Sequence, residues 1–237
     1  MKTSIIIPTY NEAENIELLL HNIFAQHIDD LSVVIVDDNS PDKTADIIKK
    51  LQQTYPIHLI ERQEKSGLGS AYIAGFRYAL SKQAQYIFEM DADFSHDPAD
   101  IPRLLDAVKH SDLVIGSRKI NGGQIIGWNF IRIIMSNGAM WFSRILLNFT
   151  VQDVTAGFRC FRSQVLNIID LDSITSNGYA FQEELLLKTQ EHGFTIVEIP
   201  VIFRDRKNGQ SKLGITDIIE FFITIVTLRL KRNSTKS

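Results

Sequence analysis

The pair Asp91 and Asp93, within the stretch FEMDADFSHD, has the residue types and the spacing of a cation site. Both carboxylates follow an apolar run. Alternate positions of an extended segment point to the same side, so the two negative charges repel each other unless a cation lies between them. Carboxylate oxygens are hard ligands of the kind that Mg²⁺ or Mn²⁺ shares with substrate phosphates. Because a DxD pattern is also common by chance, its position after a strand matters as much as its letters.

Two further stretches, PTYNE and VDDNS, place polar residues directly after an apolar run. In the first, Pro8 is expected to end a strand and Tyr10 offers a flat ring to a base, although the neighbouring Glu12 could equally cap the next helix. In the second stretch, Ser40 or Asp42 could cap the next helix, but capping would not explain why two acids, Asp37 and Asp38, are adjacent. One of these carboxylates could accept hydrogen bonds from a base or a ribose.

A third stretch, KSGLGSA, is a loop of small residues that leads into a helical pattern. It lacks the full P-loop and the full GxGxxG pattern, so it is a weak phosphate-binding motif. Small residues allow the backbone to approach a ligand closely, and they also allow simple tight packing. The sequence is compatible with both interpretations of this loop.

The elements that position these stretches alternate between strand and helix. The β-rich runs are SIIIP, SVVIVDD, IHLIE, YIFEMD and DLVIGS, and the helical stretches between them are Ala13 to Gln26, Thr44 to Thr54, Gly69 to Lys82 and Ile101 to His110. This alternation predicts an α/β fold with a mainly parallel sheet and helices on both faces. Ligands of such sheets bind beyond the carboxyl ends of the strands, where the polar stretches lie.

Composition excludes several classes of protein. The chain has 237 residues, of which 44% are hydrophobic and 22% charged, and this fits one large α/β domain with appendages. With a net charge of −3 and scattered positive residues, no nucleic-acid footprint is indicated. The single Cys160 excludes an internal disulfide framework and a Cys-rich metal site. The first apolar stretch is too short for a signal peptide, so we expect a cytoplasmic protein.

Two apolar segments have the pattern of amphipathic helices, residues 125–149 and residues 215–237. The first contains Trp128 and Trp141, which suit a membrane interface, and the second ends in basic residues, as expected for a helix that lies on anionic lipid. No charge-free apolar run reaches about 18 residues, so a spanning helix is not expected. The alternative is that both helices pack on the core or on a second subunit.

The motifs PTYNE, VDDNS, SGLGSAY, MDADFSHDP, GSR, TAGFR and DRKNGQSKL occur in this order, and the chain resembles the family-2 glycosyltransferases of the GT-A (Rossmann-like) fold. The ordered set is far more specific than any single motif. The likeness is greatest to the dolichyl-phosphate (polyprenyl-phosphate) mannose synthases of that family. The resemblance implies a catalytic domain over residues 1–214 and a C-terminal helix with a basic tail over 215–237.

The same resemblance implies an enzyme on the cytoplasmic face of a membrane that moves mannose from GDP-mannose to dolichyl or polyprenyl phosphate, with inversion at the anomeric carbon. Asp91 and Asp93 would hold Mg²⁺ or Mn²⁺. The nucleotide side would be formed by Pro8, Tyr10, Glu12, Val36, Asp38 and Ala92. The diphosphate, sugar or acceptor phosphate would be contacted by Arg118, Arg206 and Lys212, with Asp153 beside the reacting centre. On charge alone, Arg132 is a further candidate, because with Arg206 and Lys212 it would offset the repulsion between two approaching anions. Ser95 stands where some relatives have Gln, a better metal ligand, and is a candidate contact.

The chemistry supports this assignment independently. Departure of a nucleoside diphosphate builds negative charge, which a divalent cation and basic side chains stabilise. A phosphate monoester, with a second pKa of about 6, is largely ionised at pH 7 and needs no strong general base, so Asp153 is assigned to positioning or electrostatics.

Two alternatives share the fold. A polyprenyl-phosphate glucosyltransferase that uses UDP-glucose would have nearly the same site, because Glu12 and Asp38 do not decide the base. A catalytically inactive nucleotide-sugar-binding subunit would keep the fold but lose the catalytic groups, which are present here.

A phosphoryl-accepting receiver domain also has an acid pair at a strand end, but it needs only about half this length, which argues against this class. A membrane-anchoring partner and a second copy of the chain are further candidate partners.

Overall fold

Strands and helices alternate along the chain in the computed structural model, which describes residues 2–176, 178–205 and 215–234. The strands are β1 (Thr3–Thr9), β2 (Leu31–Asp37), β3 (Ile57–Glu61), β4 (Tyr86–Glu89), β5 (Leu113–Ser117), β6 (Gln124–Ile126), β7 (Arg159–Arg162), β8 (Ile196–Pro200) and β9 (Ile202–Arg204). The helices are α1 (Ile16–Phe24), α2 (Thr44–Leu51), α3 (Leu68–Ser81), α4 (Ile101–Ala107), α5 (Phe130–Leu147), α6 (Ser163–Ile168), α7 (Gly178–Glu191) and α8 (Ile215–Ser234).

The main sheet has seven strands in the order β3-β2-β1-β4-β7-β5-β8. Strand β7 runs antiparallel to its neighbours β4 and β5, and the other pairs in this sheet are parallel. The predicted mainly parallel sheet is therefore confirmed. Strands β6 and β9 form a separate parallel pair.

Each face of the main sheet is covered by helices, because alternate side chains of a strand point to opposite faces. On β1, Ile5 and Ile7 belong to the hydrophobic cluster that includes residues of α1 and α4, whereas Ile6 belongs to the cluster with α3, α7 and α8. All three isoleucines are fully buried. This continuous burial explains why the first strand reads as an unbroken apolar run.

The predicted strands and helices are present, with differences at their ends. Helix α1 begins at Ile16 rather than Ala13, and the last residues of the predicted fourth helix form a short 3₁₀ turn, Val108–His110. The expectation that Pro8 ends its strand is wrong, because Pro8 lies within β1 opposite Val36. Proline has no N–H to donate, but the strand continues through Thr9, whose carbonyl oxygen accepts the N–H of Asp38.

The two predicted amphipathic segments form α5 and α8, and each has a buried and an exposed side. On α5, Phe130 and Trp141 are 76% and 65% exposed, whereas Met140 and Leu147 are buried. On α8, Ile225 and Leu228 are buried in the core cluster, and the exposed residues of its other side include Ile223, Val226 and Leu230. Packing on the core therefore accounts for one side of each helix. In the described ranges, no helix combines the length and apolar character that crossing a membrane requires.

Candidate active site

A cavity of about 590 Å³ lies beyond the carboxyl ends of β4 and β5. Of the predicted site residues, it is lined by Asp91, Asp93, Ser95, Arg118 and Arg132. The rest of its wall is largely apolar and aromatic and includes Trp128, Ile131, Met135, Phe203, Phe221 and Phe222. One cavity therefore combines a carboxylate pair, two guanidinium groups and an apolar wall. Arg206 and Lys212 lie outside the described residues.

The acid pair is held by the turn that follows β4. The Asp93 carboxylate accepts the N–H of Ser95 at 3.0 Å, and Tyr72 donates its hydroxyl hydrogen to Asp91 Oδ1 at 3.3 Å. The described residues contain no cluster of three or more His, Cys, Asp or Glu side chains that could hold a metal ion. Two hard carboxylates fit a Mg²⁺ or Mn²⁺ ion that completes its coordination with substrate phosphates and water.

Ser95 is 2% exposed, and its hydroxyl has no hydrogen-bond partner among the described residues. An unsatisfied buried hydroxyl is uncommon in folded proteins, and this one borders the cavity beside the acid pair. A bound ligand would satisfy it. This observation fits the candidate contact that the sequence indicates for Ser95.

Arg118 and Asp153 form an ion pair at the edge of the cavity. The Arg118 guanidinium donates to Oδ2 at 2.7 Å and to Oδ1 at 2.6 Å, and the backbone N–H of Arg118 also donates to Oδ2 at 2.8 Å. Burial raises the pKa of Asp153, but the charge and hydrogen bonds of Arg118 outweigh burial, and the net pKa is lowered. Asp153 is fully buried and stays ionised at neutral pH. It lies behind Arg118 rather than facing the cavity.

Aromatic rings support both arginines of the cavity. The Arg118 guanidinium carbon lies 5.3 Å from the centre of the Phe203 ring, and that of Arg132 lies 4.1 Å from the centre of the Trp128 ring. Arg132 also forms an ion pair with Asp205 at 2.8 Å. Cation–π contact favours a fixed guanidinium plane, which suits recognition of phosphate oxygens.

On the predicted nucleotide side, Asp38 is buried and forms an ion pair with Arg62. Arg62 also donates to the hydroxyl of Ser70 at 2.6 Å and to the carbonyl oxygen of Gly67 at 3.2 Å. Arg62 therefore ties the VDDNS loop to the small-residue loop. It was not among the predicted site residues, although a basic side chain directly after β3 was a usable signal.

The neighbouring Asp37 has a structural role. Its carboxylate accepts hydrogen bonds from the Thr9 hydroxyl at 2.7 Å and from the N–H and hydroxyl of Ser40 at 2.9 and 2.6 Å. These bonds fix the turn after β2 and join it to β1. They explain why two acids are adjacent here, since Asp37 shapes the turn while Asp38 pairs with Arg62.

The other predicted nucleotide contacts lie at or near the carboxyl ends of β1, β2 and β4. The Glu12 carboxylate accepts from the side-chain amide of Asn15 at 2.9 Å, and the N-cap residue of α1 is Asn15 rather than Glu12, so the capping role left open by the sequence is not the one observed. Lys65 Nζ lies 4.3 Å from the centre of the Tyr10 ring. Val36 and Ala92 are buried, which leaves their backbone atoms as the groups that could meet a ligand.

A layer of buried ionisable groups behind the cavity was not foreseen. Arg159 is fully buried and donates to the carbonyl oxygens of Val154, Ala156 and Gln182 at 2.7–2.8 Å. Burial raises the pKa of Glu89 to about 8, although the charge of Arg159 opposes this. Burial also raises the pKa of Glu183 to about 8. The arginine of the TAGFR motif thus fixes the loop that follows Asp153.

Comparison with known families identifies the chain. Residues 4–167 match the sequence profile of the family described as Glycosyl transferase family 2. The chain belongs to this family. Among curated relatives, the undecaprenyl-phosphate mannosyltransferase of Micrococcus luteus is 43% identical over 215 residues, which cover 90% of this chain and 88% of the relative. The polyprenol monophosphomannose synthase of Mycolicibacterium smegmatis is 41% identical over 222 residues, which cover 92% of this chain and 83% of the relative.

Solved structures of this glycosyltransferase fold confirm the predicted α/β architecture of the GT-A type. Glucosyl-3-phosphoglycerate synthase from Mycobacterium tuberculosis, in complex with Mn²⁺, UDP and phosphoglyceric acid, has a TM-score of 0.71 at 16% identity, covering 98% of this chain and 78% of its own. A mannosyltransferase from Pyrobaculum calidifontis, in complex with GDP-Man and Mn²⁺, has a TM-score of 0.65 at 18% identity, and the match covers 95% of this chain and 64% of the mannosyltransferase. At these identities the likeness concerns the fold.

Proposed function

We propose that this glycosyltransferase transfers mannose from GDP-mannose to dolichyl or polyprenyl phosphate, with inversion at the anomeric carbon. The observation that carries the proposal is the composition of the cavity, where an acid pair and two arginines face a largely apolar wall. Such a site can hold a diphosphate and a second phosphate next to a hydrocarbon chain. The names of the two relatives at 43% and 41% identity support the same donor sugar and the same class of acceptor.

The acidic and the basic side chains of the cavity have different proposed roles. Asp91 and Asp93 would hold Mg²⁺ or Mn²⁺, which when bound stabilises the negative charge of the leaving diphosphate. Arg118 and Arg132 offset the repulsion between two phosphate groups that approach each other, and Asp153 fixes the plane of Arg118. Because the acceptor phosphate is already ionised near pH 7, no residue has to remove a proton from it.

The lipid acceptor has to be reached at a membrane surface, and α5 and α8 are the elements suited to this. Phe221 and Phe222 of α8 and Ile131 and Met135 of α5 line the cavity, and both helices also expose apolar side chains to the outside. We therefore propose peripheral association with the cytoplasmic face of a membrane. In this scheme residues 1–214 form the catalytic domain, and 215–237 form a helix and basic tail at the lipid.

The test is a transfer assay with defined substrates. Purified protein is incubated with labelled GDP-mannose or UDP-glucose and with dolichyl or undecaprenyl phosphate in detergent micelles, with and without Mg²⁺ or Mn²⁺. The expected product is dolichyl- or undecaprenyl-phosphate mannose, formed from GDP-mannose and only in the presence of the metal. The anomeric configuration of the mannose in the lipid product would be read by NMR and is expected to be inverted relative to the donor.

The assay also separates the alternatives. Formation of a glucosyl lipid from UDP-glucose at a higher rate would replace the proposed donor. Binding of GDP-mannose without any transfer to either lipid would favour a nucleotide-sugar-binding subunit. An Asp93→Ala variant serves as the negative control for contaminating transferases in the preparation.

A further inference from the structure

His96 lies directly behind the acid pair and is held on both sides of its ring. It is 5% exposed, its ring stacks on Phe158 with centroids 5.0 Å apart and planes 11° apart, and the Phe203 ring meets it edge-on at 6.1 Å. A ring packed in this way cannot turn without moving its aromatic neighbours. The directions of its two nitrogen atoms are therefore fixed.

Both nitrogen atoms of His96 face Asp91. The backbone N–H of Asp91 donates to Nδ1 at 3.0 Å, and Nε2 lies 3.8 Å from Oδ2 of the same aspartate. A ring nitrogen that accepts a hydrogen bond uses its lone pair for that purpose, so the hydrogen of the neutral ring is on Nε2. His96 thus binds the backbone of Asp91 and presents an N–H toward its carboxylate.

The same hydrogen bond excludes His96 as a metal ligand. Coordination through Nε2 would require the lone pair of that atom, which places the ring hydrogen on Nδ1. That position is occupied by the N–H of Asp91. His96 can therefore act on a bound cation only through Asp91.

The Asp91 carboxylate has a neighbour at each oxygen. Tyr72, which is buried, donates to Oδ1 at 3.3 Å, and the Nε2–H of His96 lies on the side of Oδ2. At 3.8 Å, the distance from Nε2 to Oδ2 is longer than a hydrogen bond, and a small rotation of the carboxylate would close it. The hydrogen bond from Tyr72 and the N–H of His96 beside Oδ2 together favour one orientation of this carboxylate, which lines the cavity.

We propose that His96 is a positioning residue that orients Asp91 for binding of a divalent cation. This inference rests on the proposed metal role of Asp91 and Asp93. Local sequence contains no sign of it, because a histidine three residues after a DxD motif is equally typical of a third ligand or of core packing. The distinguishing features are the hydrogen bond to Nδ1 and the direction of Nε2.

Three variants separate the functions of the ring. His96→Phe keeps the aromatic packing but removes both nitrogens, His96→Asn keeps an acceptor near the Nδ1 position, and His96→Gln can place an amide N–H near the Nε2 position. The probe is Mn²⁺, titrated in the presence of GDP and followed by the EPR signal of free Mn²⁺. Thermal unfolding without metal measures the structural cost of each change.

We expect His96→Phe to weaken Mn²⁺ binding by about 10- to 100-fold, as is typical for loss of a partner of a metal ligand. His96→Gln should recover more of the affinity than His96→Asn. In transfer assays the Mn²⁺ concentration at half-maximal rate should rise by a similar factor, while kcat at saturating Mn²⁺ changes less.

Several outcomes would overturn the proposal. If His96→Phe binds Mn²⁺ within about twofold of the wild-type protein and only its unfolding temperature changes, the ring is a packing residue. If the Asn variant binds Mn²⁺ as tightly as the Gln variant, the N–H toward the carboxylate is not used. If the wild-type protein and Asp91→Ala bind Mn²⁺ equally poorly with GDP, the metal role of the acid pair fails, and the positioning role fails with it.

Discussion

Arg118 donates to both carboxylate oxygens of the fully buried Asp153, at 2.7 and 2.6 Å, while Arg118 itself lines the cavity. The aspartate therefore acts through the arginine. A carboxylate whose oxygens are both engaged in this way, and whose pKa is lowered by the pairing, is a poor general base. This geometry agrees with a reaction in which the acceptor is already an anion.

The first prediction concerns this pair. Arg118→Lys retains the charge but loses the planar fork, so we expect kcat/KM for mannosyl transfer to fall by about 10- to 100-fold. The matched control is Arg77→Lys in the exposed pair of Arg77 with Asp172, which should leave the rate unchanged. Steady-state kinetics on folded protein gives both values.

A double-mutant cycle tests whether Asp153 acts only through Arg118. Asp153→Asn alone should lower the rate, and adding it to Arg118→Ala should lower the rate little further than Arg118→Ala alone, because the pair is already broken in that variant. Fully additive losses would instead assign a separate contact with substrate to Asp153. Circular dichroism should verify that each variant is folded, since breaking a buried ion pair costs about 3–5 kcal/mol of stability.

The second prediction concerns the pH dependence of stability. Burial raises the pKa of Glu183 from 4.5 to about 8, so between these values the folded chain keeps a proton that the unfolded chain has released. Stability then decreases as pH rises through this window, by up to about 1.4 kcal/mol per pH unit. Glu183→Gln cannot ionise and removes this decrease. Its advantage in free energy of unfolding over the wild-type protein should grow from about pH 5 to pH 8.

Urea unfolding at about pH 5, 6.5 and 8 measures this difference, and the exposed Glu64→Gln is the control with no expected trend. A Glu183→Gln variant whose stability changes with pH in parallel with the wild-type protein would mean that Glu183 is ionised in the folded state. Its partner would then be sought in Arg159, whose charge lowers the pKa of Glu183.

The third prediction concerns the metal. Two carboxylates neutralise one divalent cation, so Asp91→Ala or Asp93→Ala should abolish transfer, and EDTA should have the same effect on the wild-type protein. Asp106→Ala removes an exposed aspartate of α4 and should retain full activity. Differential scanning calorimetry would verify that the inactive variants unfold as the wild-type protein does. Undiminished transfer in EDTA would rule out a metal-dependent reaction.

Strands β1 to β5 could be predicted from the sequence, because each is a β-rich run that ends at polar or turn residues, whereas the parallel strand β8 (IVEIP), interrupted by Glu198, was not predicted. Strand β7 was not predicted, since its letters, RCFR, begin and end with charged residues. Arg159 is buried there because three backbone carbonyls receive its guanidinium, and such long-range partners are not visible in local sequence.

The residues that line the cavity could be predicted from the sequence, whereas the ion pairs that hold the site together could not. Asp91, Asp93 and Arg118 follow strands in recognisable motifs, and the fold brings them to one cavity. The pairing of Asp38 with Arg62 joins residues 24 positions apart, and no short motif encodes it. The role of Asp153 behind Arg118 likewise depends on the sheet order, which places β5 next to β7.

The last prediction concerns α8, whose buried side packs on the core and whose exposed side is proposed to contact lipid. Ile225 and Leu228 are buried, and Arg232 forms an ion pair with Glu191 at 3.1 Å, so removal of the whole helix would disturb the core as well as any lipid contact. Substitution of exposed residues separates the two effects. Ile223→Ser with Leu230→Ser should reduce flotation with vesicles and transfer to long-chain polyprenyl phosphate, while donor binding and unfolding temperature change little.

Leu18→Ser is the matched control, because Leu18 is similarly exposed but lies on α1, on the opposite face of the sheet. It should not affect flotation. Gln in place of Arg229 and Lys231 should weaken binding to anionic vesicles more than to neutral ones, and added salt should reduce that difference. Equal vesicle binding by the wild-type protein, the Ile223 and Leu230 variant and the Leu18 control would assign α8 to the core, and the search for the lipid contact would then move to the exposed side of α5.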